Sequence, residues 1–163
     1  MSHLSPRELT VRPAEPSDVD ALRSIAAAAY QPYVARIGRA PAPMTADYAQ
    51  AVRAGQTWVA VEDGQVAGFA VLVAGPGYLL LENVAVRPAA QGRGIGSRLL
   101  GLADEQARRL GLSEVRLYTN EVMTENLAIY AHLGYRETAR RADGGYRRVF
   151  MEKILPAGEP GPP

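Results

Sequence analysis

The fold is decided by the stretch from Val84 to Ser97, V-A-V-R-P-A-A-Q-G-R-G-I-G-S. It sets a glycine-rich loop between an apolar run of strand character and a segment of helical spacing. Gly92, Gly94 and Gly96 lack Cβ atoms, so the backbone there can turn through positive φ and aim successive N–H groups at anionic oxygens. The following helix adds the positive end of its dipole, and the combination makes a seat for a pyrophosphate. Two familiar phosphate loops fail on residue type and spacing. A P-loop closes with Gly-Lys-Ser/Thr, whereas Gly96 is followed by Ser97 and Arg98. A dinucleotide fold needs G-x-G-x-x-G directly after its strand; here Arg87 to Gln91 intervene and the third glycine comes one residue early.

Working outward, Tyr78 to Val86 reads as the strand before the loop and Gly94 to Leu110 as the helix after it. Ile95, Leu99, Ala103, Ala107 and Leu110 form that helix's apolar face, and Gly111 closes it. Glu114 to Thr119 returns as a strand, and a right-handed crossover makes it parallel to Tyr78 to Val86. Upstream, Asp63-Gly64 between Thr57 to Glu62 and Gln65 to Val73 has the form of a two-residue hairpin. Leu9 to Arg12 predicts a first strand. Ser17 then reads as the N-cap of a helix that ends near Tyr30, with Val19, Leu22, Ala26 and Ala29 on one face. From there to Met44, Pro32, Gly38, Pro41 and Pro43 predict a loop with broken helix, followed by a short helix over Thr45 to Ala54. A last helix from about Glu125 to Leu133 precedes two strands, Tyr135 to Arg140 and Tyr146 to Ile154, joined at Asp143-Gly144-Gly145. The fold class is α/β (α+β), with a mixed, mainly antiparallel sheet and helices on both faces. The predicted organisation is a flexible N-terminus over 1–8, one domain over 9–154 and a Pro/Gly-rich tail over 155–163.

Composition narrows the chemistry. The chain has 163 residues, 47% hydrophobic and 21% charged, enough for a single core. It contains no cysteine and two histidines, His3 and His132, which leaves no thiolate nucleophile and no metal site to expect. Net charge is +1, and the basic residues, of which Lys153 is the sole lysine, are scattered among acidic ones. Neither a nucleic-acid partner nor a membrane partner is expected, and the absence of a leader-like or spanning apolar run predicts a cytoplasmic protein.

Gln91-Gly92-Arg93-Gly94-Ile95-Gly96 resembles the Gln/Arg-x-x-Gly-x-Gly/Ala signature of the GCN5-related N-acetyltransferase (GNAT) family. Downstream, Thr124 to Arg136, T-E-N-L-A-I-Y-A-H-L-G-Y-R, resembles that family's Asn-x-x-Ala-x-x-Tyr-x-x-x-Gly-Phe/Tyr segment. Asn126, Tyr130, Gly134 and Tyr135 stand at motif positions, with Ala128 one residue ahead of the family's alanine. The resemblance implies a GNAT-like sheet in which the parallel strand pair splays and takes the pantetheine arm of acetyl-CoA as co-substrate.

Cofactor contacts would then fall to Val84, Ala85 and Val86, to Gln91 through Ser97 (Gln91, Gly92, Arg93, Gly94, Ile95, Gly96, Ser97), and to Asn126 and Tyr130. The Val86 N–H would stabilise the oxyanion, and Tyr130 would protonate the departing thiolate. Glu82, in the run Leu79 to Val86, is the candidate base: a carboxylate among buried aliphatics has its pKa raised by desolvation. Tyr30, Tyr33, Arg36, Met44, Tyr48 and Glu82 are expected to wall the acceptor pocket, with Arg36 pointing to a carboxylate on the acceptor. The expected function is direct transfer of an acetyl group to a primary amine of a small molecule or peptide. The alternative is a non-catalytic acyl-CoA-binding or sensor module. Analogy with the family also suggests a homodimer.

Overall fold

In a computed structural model that describes residues 8–156, seven strands form one sheet. They are β1 (Leu9–Pro13), β2 (Thr57–Glu62), β3 (Gln65–Gly75), β4 (Tyr78–Val86), β5 (Glu114–Asn120), β6 (Arg136–Asp143) and β7 (Tyr146–Ile154), in the spatial order β1-β2-β3-β4-β5-β7-β6. All neighbours run antiparallel except β4 and β5, the parallel pair that the crossover rule requires. Asp63 and Gly64 both take positive φ, 51° and 80°, as a primed two-residue hairpin demands.

The helices are α1 (Val19–Tyr30), α2 (Val34–Ile37), α3 (Tyr48–Arg53), α4 (Ile95–Arg109) and α5 (Thr124–His132). Strand periodicity sends alternate residues to two cores. Phe69 and Val71 join Leu22, Ile25 and Tyr48 beneath α1 and α3, while Ala70 and Leu72 join Ile95, Leu99 and Ala103 beneath α4. Gly68 lets α4 come close to the sheet: a Cβ there would lie 2.9 Å from the Ala85 carbonyl oxygen and 3.2 Å from Leu99. No helix of the described residues is long and apolar enough to cross a membrane.

Four local expectations are corrected. Pro16 opens a short 3₁₀ turn ahead of α1, and Asp18 instead of Ser17 organises it, accepting the Glu15 N–H at 2.7 Å and an Arg12 N–H at 2.8 Å. A carboxylate can take an amide and a guanidinium together, which a hydroxyl cannot match. The helix expected from Thr45 starts only at Tyr48, where the Asp47 side chain caps the Gln50 N–H. Leu110 lies past the last helical residue and is 57% exposed, so it leaves the apolar face. Leu155 is buried and donates its N–H to Ser113, so the packed chain extends one residue into the expected tail. The rest of that tail beyond residue 156, and the expected flexible start apart from Glu8, lie outside the described residues.

The parallel pair holds only from Leu79–Val115 to Leu81–Leu117. The β3–β4 register slips at the same level, Leu72 facing Leu81 and Val71 facing Asn83, so that Glu82 is the extra residue of a β-bulge. A bulge bends its strand and sharpens the local twist. From Glu82 onward β4 swings away from β5, and a gap opens between them.

Candidate functional site

The loop after β4 enters α4 through Gly92 and Gly94, with φ of 80° and 86°, and open space surrounds the position a Cβ would take at either. The first amide to find an acceptor is that of Arg98, bonded to the Gly94 carbonyl at 3.0 Å. Six consecutive amides, Gly92 to Ser97, therefore donate to nothing among the described residues. Such a nest at a helix N-terminus carries concentrated positive potential without a charged side chain. The side chain of Arg93 is turned elsewhere, its Nη2 paired with Glu62 at 2.9 Å. Gln91 folds back and donates to the Val86 carbonyl at 3.1 Å, fixing the loop to the end of β4.

Strand alternation orients the β4 backbone. The Arg87 N–H donates to Ala67 on β3, so Arg87, Ala85 and Asn83 direct their backbone groups toward β3, and Val84 and Val86 direct theirs into the gap. The Val86 carbonyl is taken by Gln91, and the Val84 carbonyl accepts from the Tyr30 hydroxyl at 3.0 Å. The N–H groups of Val84 and Val86 face the gap without β5 to accept from them.

Two clefts meet at this gap. One, of about 1220 Å³ counting space open to solvent, runs from the glycine loop along Val84, Ala85 and Val86 to Tyr33, Asn126 and Tyr130. The other, about 610 Å³ on the same measure, lies between Glu82, Tyr118, Asn120, Tyr146, Arg148 and the Pro41–Pro43 turn. Tyr30, Val84, Met123, Asn126 and Tyr130 line both. Tyr130 is 9% exposed and packs edge-on to Tyr135, and its hydroxyl bonds to none of the described residues. Burial pushes its pKa to about 12, with Tyr33 adding to the effect. Burial also raises Tyr30, Tyr48 and Tyr118, so all four phenols remain protonated donors near neutral pH.

Of the cofactor-side expectations, Val84, Ala85, Val86, Gln91, Gly92, Gly94, Ile95, Gly96, Ser97, Asn126 and Tyr130 share the first cleft, and only Arg93 does not line it. Acceptor-side expectations fare less well. Tyr30 and Glu82 do line the second cleft, but Tyr33 lines the first. Met44 borders neither. Tyr48 is a core residue, 2% exposed and edge-on to Phe69 at 5.2 Å. Arg36 lines neither cleft and pairs with Glu125 at 2.8 Å in an exposed ion pair between α2 and α5. Glu82 is exposed, since the bulge turns it out of the aliphatic layer.

Asn83 is the buried polar residue of this strand. Its Oδ1, at 2.9 Å, shares the single Tyr30 hydroxyl proton with the Val84 carbonyl, its amide donates to the Tyr48 oxygen at 2.6 Å, and Tyr48 donates in turn to the Pro43 carbonyl at 2.5 Å. These bonds tie the Pro41–Pro43 turn to the bulge. From the other side Tyr146 donates to the Ala40 carbonyl at 2.7 Å, with Arg39 over its ring at 3.6 Å. Sequence reading missed Asn83, Tyr118, Tyr146 and Arg148. Asn83 had a visible signal, an amide inside an apolar strand; the other three belong to the site only because β5 and β7 pair side by side across the gap from β4. Among the described residues no three His, Asp or Glu side chains converge as a metal site.

Known proteins share part of this sequence and its fold. The chain is 33% identical over 82 residues to the uncharacterized N-acetyltransferase YjgM of Escherichia coli, covering 48% of this chain and 49% of that protein. It is 35% identical over 83 residues to the IAA acetyltransferase of Azospirillum brasilense, covering 48% and 53%. It thus spans about half the length of the curated relatives it matches. The PaiA N-acetyltransferase from Thermoplasma acidophilum, crystallised in complex with coenzyme A, has the same fold, with a TM-score of 0.77 over 91% of this chain and 99% of that one at 19% identity. The family model of the acetyltransferase (GNAT) domain matches residues 53–137, a span holding β4, the amide nest, the splay and Tyr130. By that match over half its length, this chain belongs to the GNAT acetyltransferase family.

Proposed function

We propose that the protein is an N-acetyltransferase that moves the acetyl group of acetyl-CoA directly to a primary amine of a small molecule or peptide. One observation carries the reading: six unpartnered amides head a cleft that follows the free edge of β4 to the junction with a second cleft. The pyrophosphate fits the amide nest, the pantetheine arm fits the free backbone of Val84 and Val86, and the thioester falls at the junction. The amine enters through the second cleft. The ammonium first gives one proton to solvent water; the neutral nitrogen then attacks the thioester carbonyl, forming the C–N bond and an oxyanion, and as the carbonyl re-forms the C–S bond breaks and the second N–H proton ends on the coenzyme thiolate.

The resemblance assigned the oxyanion contact to the Val86 N–H. We assign it to Val84, because Val84 lines both clefts and Val86 only the first. One such donor contributes on the order of 3 kcal/mol in the transition state. Tyr130 acts on the sulfur as a hydrogen-bond donor. Full transfer from a phenol near 12 to an ordinary thiolate near 8.5 would run uphill by roughly 5 kcal/mol, so the amine itself is the net proton source. Exposed at the rim, Glu82 draws the ammonium form of the acceptor toward the junction.

Release of free thiol from acetyl-CoA over a library of primary amines, with mass detection of acetylated product, tests the reading. Tight CoA binding with no amine acetylated would assign the chain to the acyl-CoA-binding module instead.

A further inference from the structure

We infer that the acceptor carries an acid group as well as its amine, and that Arg148 is the residue that recognises it. The inference rests on the acetyltransferase reading above and names the substrate class of its second cleft. Arg148 lies on β7 opposite Asn120, and its side chain, 16% exposed, lines that cleft. Its guanidinium sits over the Tyr118 ring at 4.4 Å and near the Tyr146 ring at 5.6 Å. Of its five N–H bonds, hydrogen bonding among the described residues uses one, from Nη1 to Asp143 at 3.0 Å.

A guanidinium so enclosed ordinarily satisfies more of its donors. Asp143 is half exposed at the edge hairpin, and a pair of that kind is weak. With the Tyr118 ring beneath it and one N–H given to Asp143, the guanidinium keeps further donors for a planar, bidentate anion, the geometry of a carboxylate. Glu82 supplies the opposite charge to the same cleft. An ammonium near Glu82 and Val84 and a carboxylate at Arg148 describe a zwitterionic acceptor, either an amino acid or an acidic peptide. A polyamine would meet repulsion there.

The test compares amino acids and acidic dipeptides with their own carboxamides at saturating acetyl-CoA. Wild type should favour each acid over its amide in kcat/KM on the order of tenfold or more, and in Arg148→Met that ratio should fall to about one. Asp143→Asn, which releases the guanidinium, should raise the ratio. Free amino acids outperforming dipeptides, or the reverse, identifies the source of the carboxylate. Calorimetric titration of the same acids and amides into the CoA complex supplies a readout independent of turnover. Acid-selective, Arg148-dependent binding without any acetylation would overturn the transfer reading and leave the acid site standing. Equal handling of acids and amides by wild type, or equal losses for both in Arg148→Met, overturns the acid site and leaves acetyl transfer untouched.

Discussion

Tyr130 and Glu82, the two titratable groups beside the reacting centre, sit in different environments. Tyr130 is buried between the two clefts with a pKa near 12, so it is fully protonated below that value and loses its proton only as pH rises through it. Turnover should accordingly show no descending limb from Tyr130 between about pH 7 and 10. Tyr130→Phe should keep coenzyme affinity within a few-fold and lower kcat by roughly 10- to 100-fold at every pH in that range. Calorimetry and pH–rate profiles check this, and wild-type kcat in a step-limited assay would return the ring to packing against Tyr135. Glu82 is exposed, and attraction is the role its place at the rim supports. Glu82→Gln should raise KM for charged acceptors with little change in kcat at saturation, giving pH profiles parallel to wild type. A rising limb displaced toward the acceptor's own pKa would restore the general-base role.

Among the elements, the junction of β4, loop and α4 concentrates the binding chemistry in backbone groups, so it is best tested by what intrudes on them. Gly96→Asp is the cleaner variant. Its backbone φ is helical and its Cβ would meet only Val86 Cγ2 at 3.8 Å, whereas Gly94 has φ of 86° and a side chain there adds strain. Both changes put a negative charge into the amide nest. Each should weaken coenzyme binding by about 100-fold or more, with Gly94→Asp alone also lowering thermal stability. Titration calorimetry and melting curves separate the two effects, and unchanged affinity in a folded Gly96→Asp protein would remove the loop from the site. Of the two edge strands, β1 and β6, the latter is built to resist strand addition. It carries Arg136, Glu137, Arg140 and Arg141 and a bulge between Glu137 and Ala139.

Across the whole molecule, two apolar layers clamp the sheet on its two faces. Leu99 anchors α4 on one face and Phe69 anchors α1 and α3 on the other, each fully buried. Leu99→Ala should cost about 2–5 kcal/mol and Phe69→Ala about 3–5 kcal/mol. Urea titrations followed by tryptophan fluorescence and by circular dichroism should show one coincident transition for each variant. Separate transitions by the two probes would mean that the faces unfold independently. The family match at 53–137 ends before β7, so Tyr146 and Arg148, which form one wall of the second cleft, come from outside it.

Local chemistry was enough for the parts of this protein that sit close together in the chain. The amide nest follows from glycine spacing ahead of a helix, the Asp63-Gly64 hairpin from its need for positive φ, and the parallel crossover from chirality. Tyr130 was legible because a motif of fixed spacing carries it. Tertiary structure alone decided the rest. The bulge at Glu82 is a register slip between strands, and it exposes a carboxylate whose aliphatic neighbours in sequence predict burial. Arg36 and Arg148 look alike in sequence, each a basic residue within three positions of a tyrosine. One pairs with Glu125, 89 residues away and outside both clefts, and the other is brought by β7 into the acceptor cleft. Which cation faces a ligand depends on which strands become neighbours, and that is a property of long-range pairing that no local window of sequence contains.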